Sequence, residues 1–284
     1  MFNIDYHKTI APKKFYNSSC IILRIFLISS LLLSTLSYAA SDYSTKALHW
    51  HNLNYIEQSF YEIALYNEYN SKKSRLRKWT KSLNVYIDHQ VSDNELHLKI
   101  LRMHLQQLHE ITRLPIKYTT TKSQANLIIY LTRSNKVNQI IRTEINPKAV
   151  KQLRNAVCLA NIQRNNKNEI IKGLVVIPVD RARMHGKLIS CFVEELSQVL
   201  GLPNDSKSIY PTIFSDRNIY KLLTGLDYLL LKLLYSPEVK VGMSQSALSP
   251  IIRKKLNIWQ KNGIIKQAQQ EVVKGDLYHL LGYR

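Results

Sequence analysis

Ile56, Phe60, Ile63 and Ala64 fall at the three-and-four spacing of one helix face, so a helix is predicted over residues 53–69. Leu83, Val85 and Ile87 alternate with polar residues and predict a strand. Ser92, with Glu95 three residues on, reads as a capping box opening the next helix. That helix should bury Leu98, Leu101, Leu105 and Leu108. An extended piece at 116–118 and an apolar strand at 127–131 follow, then a polar, partly helical stretch at 135–155. Residues 157–163 and 170–179 predict two strands joined by a polar turn. A helix over 183–200 stops at Gly201 and Pro203. Two apolar helical stretches are expected at 219–223 and 227–235. Ser249-Pro250 should start a last helical region, with proline at the first helical position and Ile251, Leu256, Ile258 and Trp259 on its docking face. A few strands followed by many helices define an α+β fold with a small mixed sheet and helices at both ends.

The start of the chain reads differently. Lys8, Lys13 and Lys14 precede an apolar run whose charge-free core, residues 25–36, is too short to span a bilayer, which takes roughly 20 residues. Small residues follow at Ser37, Ala39 and Ala40. This is the layout of a cleaved export signal, with the cut near Ala39-Ala40 and a periplasmic or secreted product. Cys20 precedes the apolar core, whereas a lipid-anchored cysteine would follow it. The expected organisation is a signal peptide (1–39), an N-terminal helical segment (40–71), a main domain (72–248) and a C-terminal helical tail (249–284).

Export changes how the cysteines and the charge are read. Loss of the leader leaves Cys158 and Cys191, and an even pair in an oxidising compartment is most simply a disulfide. Closing that loop would stabilise the fold by roughly 3 kcal/mol. The whole chain carries a net charge of +20. The leader through Ala39 holds four bases and one acid, so the mature chain keeps +17. Such a field draws anionic polymers and membrane surfaces. Nucleic acid is not the expected partner, because the chain is exported and has no zinc finger or aromatic RNA-binding signature. Nor does it contain a phosphate-cradling G-x-G-x-x-G or G-K-[ST] loop. A protein partner for the C-terminal helices is also open.

The chemistry concentrates in Cys191-Phe192-Val193-Glu194-Glu195-Leu196-Ser197-Gln198-Val199-Leu200-Gly201-Leu202-Pro203-Asn204-Asp205-Ser206. Glu194 and Gln198, four apart, share a helix face. The spacing is that of the zinc-peptidase helix H-E-x-x-H-x-x-G-x-x-H with its ligands changed. Glu194, Gln198 and Asn204 take the three histidine places, and Glu195 takes that of the general base. With the Cys158 strand, residues 174–178 and Pro211-Thr212-Ile213-Phe214-Ser215-Asp216, the chain resembles the bacterial family called domain of unknown function 2927. So do Leu223-Thr224, Asp227, residues 230–235 and Gly242-Met243. Thr212 and Ser215 depart from the Ser and Asn expected there. The resemblance implies a zincin-like fold, with the site on the 191–206 block, and no established activity.

Zinc prefers imidazole or thiolate donors, so one carboxylate and two amides make a poor zinc site. A hard cation such as calcium accepts carboxylate and amide oxygens, and Glu194, Gln198, Asn204 and Asp205 could supply them; no cofactor is assigned. Metal-free chemistry would use Glu195 as acid or base with Asp205 as its partner. Alternatively these groups form a hydrogen-bonded network that fixes the loop. The composite expectation is a non-catalytic, degenerate zincin-like module that binds an anionic envelope partner. The rival is a hydrolase, peptidase or peptidoglycan-cleaving, working through Glu195.

Overall fold

The computed structural model describes residues 50–66, 73–215 and 220–283. The export signal, its cleavage site, part of the basic linker at 71–78, Asp216 and Ile219 lie outside the described residues. Among the described residues no helix is long and apolar enough to cross a membrane.

The first helix, α1 (Leu53–Leu65), is capped by Asn52, whose side chain accepts from the amides of Asn54 and Tyr55. Strand β1 (Leu83–His89) leads into the long helix α2 (Asn94–Thr112), and β2 (Ile116–Tyr118) and β3 (Leu127–Thr132) follow. The expected Ser92–Glu95 box does not form. Asp93 occupies the cap in a left-handed conformation without a side-chain cap bond, and its carboxylate instead takes Arg183 at 2.7 Å.

Five strands make one mixed sheet in the order β2-β1-β3-β5-β4, where β4 is Leu159–Arg164 and β5 is Ile170–Pro178. The first four of these neighbours run parallel, and β4 is the antiparallel edge. The two-residue period of β3 sorts its side chains to opposite faces. Leu127, Ile129 and Leu131 join the main core with α1 and α2, while Ile128 and Tyr130 join a smaller cluster with Val137, Ile140 and Leu153. That second face is covered by the segment expected to be partly helical, which holds two short helices, α3 (Val137–Ile140) and α4 (Val150–Leu153).

The helix expected at 183–200 is two helices. Gly186, at φ 64°, turns the chain between α5 (Val179–Met184) and α6 (Leu188–Gln198). Residues 220–224 are not helical. Thr224 caps α7 (Gly225–Leu234) in an extended conformation, and the buried Leu222 and Leu223 belong to the loop that enters it. The last region starts earlier than proline suggested: α8 spans Gln245–Lys261 from a Ser244 cap, with Pro250 inside it. Helices α9 (Ile264–Val272) and α10 (Asp276–Leu280) complete the chain. Leu248, Ile252, Leu256 and Trp259 form the buried face of α8, and Ile258 is exposed.

Both terminal segments pack into the main core. The described residues form one compact unit, in which Phe60 of α1 and Leu256 of α8 share a hydrophobic cluster with the sheet. Glu57, buried on α1, accepts from Arg253 at 2.9 Å and from Ser249 at 2.8 Å, both on α8.

Candidate functional site

Helix α6 lies against the sheet with every residue from Ser190 to Gln198 buried. Its solvent-side stripe meets the start of the edge strand β4 across a cleft of about 160 Å³. One wall carries Lys187, Ser190, Glu194, Glu195 and Gln198; the other is residues 156–160; Asp205 closes one end. Four of the five residues singled out in the sequence therefore converge. Glu194, Glu195 and Gln198 are each less than a tenth exposed. Gln198 donates from Nε2 to Asp205 Oδ1 at 2.7 Å, which ties the helix to the loop after it.

Asn204 takes another direction. Its Nδ2 donates to the Glu62 carbonyl of α1 at 3.0 Å, and it is absent from the cleft wall. Ser206 also bonds to Glu62, through its carboxylate, and Tyr55 exchanges two bonds with the Tyr210 backbone, at 2.7 and 2.9 Å. Helix α1 thus holds the loop that presents Asp205. The sequence held no signal for this, because Glu62 lies more than a hundred residues from its partners.

Gly201 makes the turn between helix and loop. It sits at φ 120°, and a Cβ there would stand 2.4 Å from the Arg77 carbonyl oxygen. Only glycine meets both demands.

Cys158 and Cys191 form a disulfide, with Cα atoms 5.8 Å apart. Cys158 lines the cleft, and Cys191 lies one helical turn before Glu194 and Glu195. The bond joins the two walls.

Behind α6, away from the cleft, His104 of α2 is fully buried. Its Nε2 faces the Val193 carbonyl at 3.1 Å and Ser197 Oγ at 3.3 Å. Ser197 already donates to that carbonyl at 2.6 Å, and a carbonyl can only accept. The proton is therefore assigned to Nε2, and Nδ1, with the Gln107 side chain nearby, makes no hydrogen bond of ordinary geometry. Burial pushes this imidazole down to about 4. Because the folded value lies below the unfolded one, the stabilisation is present above about pH 6.5 and is lost as pH falls towards 4. Over that window the wild type should lose about 3 kcal/mol relative to His104→Gln, measured as urea unfolding free energies. Parallel pH profiles for the two proteins would refute a neutral, buried His104.

Zinc does not fit this donor set. No imidazole lines the cleft and the nearby thiols are joined to each other, so only carboxylates and amides are offered. Among the described residues no group of three His, Cys, Asp or Glu side chains could hold a metal ion. Lys187 and Ser190 add a cation and a hydroxyl to the same wall; both precede the motif, whose spacing carries no signal for them.

The cleft and fold define an α+β domain whose acidic site is built on one disulfide-anchored helix and the edge of a mixed sheet. Residues 53–254 match the family described as "Protein of unknown function (DUF2927)", and the chain belongs to that family. Neither a curated protein nor a solved structure matches it.

Proposed function

We propose that this is an exported cell-envelope protein with a zincin-like fold and a degenerate site, acting as a non-catalytic binding module for an anionic envelope polymer or membrane surface. One observation carries the preference for binding over hydrolysis. The three places that hold ligands in a zinc peptidase do not converge: Gln198 gives its amide to Asp205, and Asn204 turns away to Glu62. With Gln198 tied to Asp205 and Asn204 spent on α1, the three places do not gather a shared set of zinc donors. The disulfide supports an oxidising compartment. The +17 charge of the mature chain supports an anionic partner held at the surface, since the cleft itself is lined by carboxylates.

The test is co-sedimentation of the mature protein with purified peptidoglycan sacculi and, separately, with vesicles containing phosphatidylglycerol. Binding is expected at low salt. It should fall steeply towards about 1 M NaCl, where the screening length shrinks to about 3 Å. Retention that ignores salt would sink the electrostatic reading. Release of soluble fragments from the sacculi by wild type, but not by Glu195→Gln, would replace it with the hydrolase.

A further inference from the structure

The opposite edge of the sheet carries a second feature, remote from the cleft in strand order. The backbone of β1 alternates its hydrogen bonds between two neighbours. Leu83 N donates to Pro115 O at 2.8 Å, and Val85 O accepts from Thr119 N at 2.9 Å; both face β2. Asn84 O and Gln90 N bond towards β3 instead. By this alternation Ile87 and His89 present their N–H and C=O groups to the β2 side. There β2 has already ended, at Tyr118, and no strand among the described residues continues its line.

Beside this open edge lies a groove of about 370 Å³. Ile87 of β1, Leu98 of α2 and the half-exposed Tyr118 line it together with the polar His89, Asn94 and Thr119. Arg102 lies one helical turn beyond Leu98 on the same face of α2, and no ion pair among the described residues involves it. A groove with apolar residues, an unpaired strand edge and an unpaired guanidinium beside it are what an added strand needs.

We propose that this edge binds an extended, acidic peptide segment of a partner protein, which continues the line of β2. Its backbone pairs with Ile87 and His89. Groove-facing side chains recur at every second residue, about 7 Å apart. One is a carboxylate that meets Arg102, and the next is an apolar residue over Leu98 and Ile87. The chain's excess positive charge favours approach of an acidic segment.

The experiment pans a phage library of random decapeptides against the mature protein and measures the enriched sequences as fluorescein-labelled peptides by anisotropy. Enrichment of an acid two positions from an apolar residue is expected. Ile87→Pro removes an edge N–H that no strand uses, so the fold should survive, and peptide affinity should drop by about tenfold or more. Arg102→Glu, on the exposed side of α2, should cost a similar factor, with recovery when the peptide's acid is changed to lysine. The second variant decides the matter should the first misfold. Three results would overturn the proposal: no enriched peptide, binding that both variants leave intact, or concentration-dependent dimers abolished by Ile87→Pro, which would assign the edge to a second copy of the chain.

Discussion

Asp227→Ala is expected to destabilise the fold by about 3–5 kcal/mol, because it leaves several buried donors unpaired at about 1–3 kcal/mol each. Asp227 is fully buried at the third position of α7. Its Oδ1 accepts from Thr212 Oγ1 at 2.5 Å. Its Oδ2 accepts from Ile213 N at 3.1 Å and from Thr224 N and Oγ1 at 2.8 and 2.9 Å. One carboxylate therefore completes the Thr224 capping box and fastens the loop that follows the cleft. Alanine would strand two backbone amides and the Thr212 hydroxyl in an interior that cannot hydrate them. The loop should loosen with the helix start, so amide exchange at 212–214 should rise together with the drop in the urea midpoint. A variant within about 1 kcal/mol of wild type would show that water or a rearranged threonine takes over the role.

The same residue tilts the acid response. Burial pushes its carboxyl up to about 6. A folded value above the unfolded one contributes stability that is complete below about pH 3.8 and lost as pH rises through 6. His104 has the opposite slope over nearly the same window. The wild-type pH profile is therefore flattened by compensation, and each slope emerges only against its own variant.

Particular residues show what the sequence could and could not carry. The alternation in β1, the apolar runs of β3 and β5 and most of the stripe on α2 are local, so they were legible, although Leu98 of that stripe stays partly exposed. So was the gathering of Glu194, Glu195 and Gln198, because a helix fixes which neighbours share a face. The cystine pairing followed from parity once export was inferred. Legibility ended where long-range contacts decide. Asn204 fits the motif by spacing, yet the carbonyl it meets belongs to a helix about 140 residues earlier. The Ser92 box was locally sound, but Arg183 from α5 holds Asp93 in place and the cap shifted by one residue. Pro250 looked like a helix start because propensity favours it there, and the buried Leu248 and Ile252 carry α8 through it. Gly186 was an unread break, since a single glycine within an apolar helical pattern signals little until its φ is known.

Removing the disulfide by Cys158→Ser with Cys191→Ser should cost about 3 kcal/mol and lower the melting temperature by about 10 °C for a domain of this size. The stabilisation comes chiefly from the unfolded chain, which regains the freedom of a 33-residue loop. The folded state should register the loss at one place. Cys158 precedes β4, the sheet's edge strand, which pairs with β5 alone. Cys191 is fixed in the core by α6. Without the bond, the wall at 156–160 is held to the rest by edge pairing and packing, so proteolysis and amide exchange should accelerate there first, while α6 keeps its protection. Reduction of the wild type with dithiothreitol should reproduce both effects. An unchanged melting temperature, or protection lost evenly across the domain, would mean that the bond does not hold the cleft wall in place. Local loss at 156–160 would make the cystine the part that holds the cleft's second wall in register with Glu194 and Glu195.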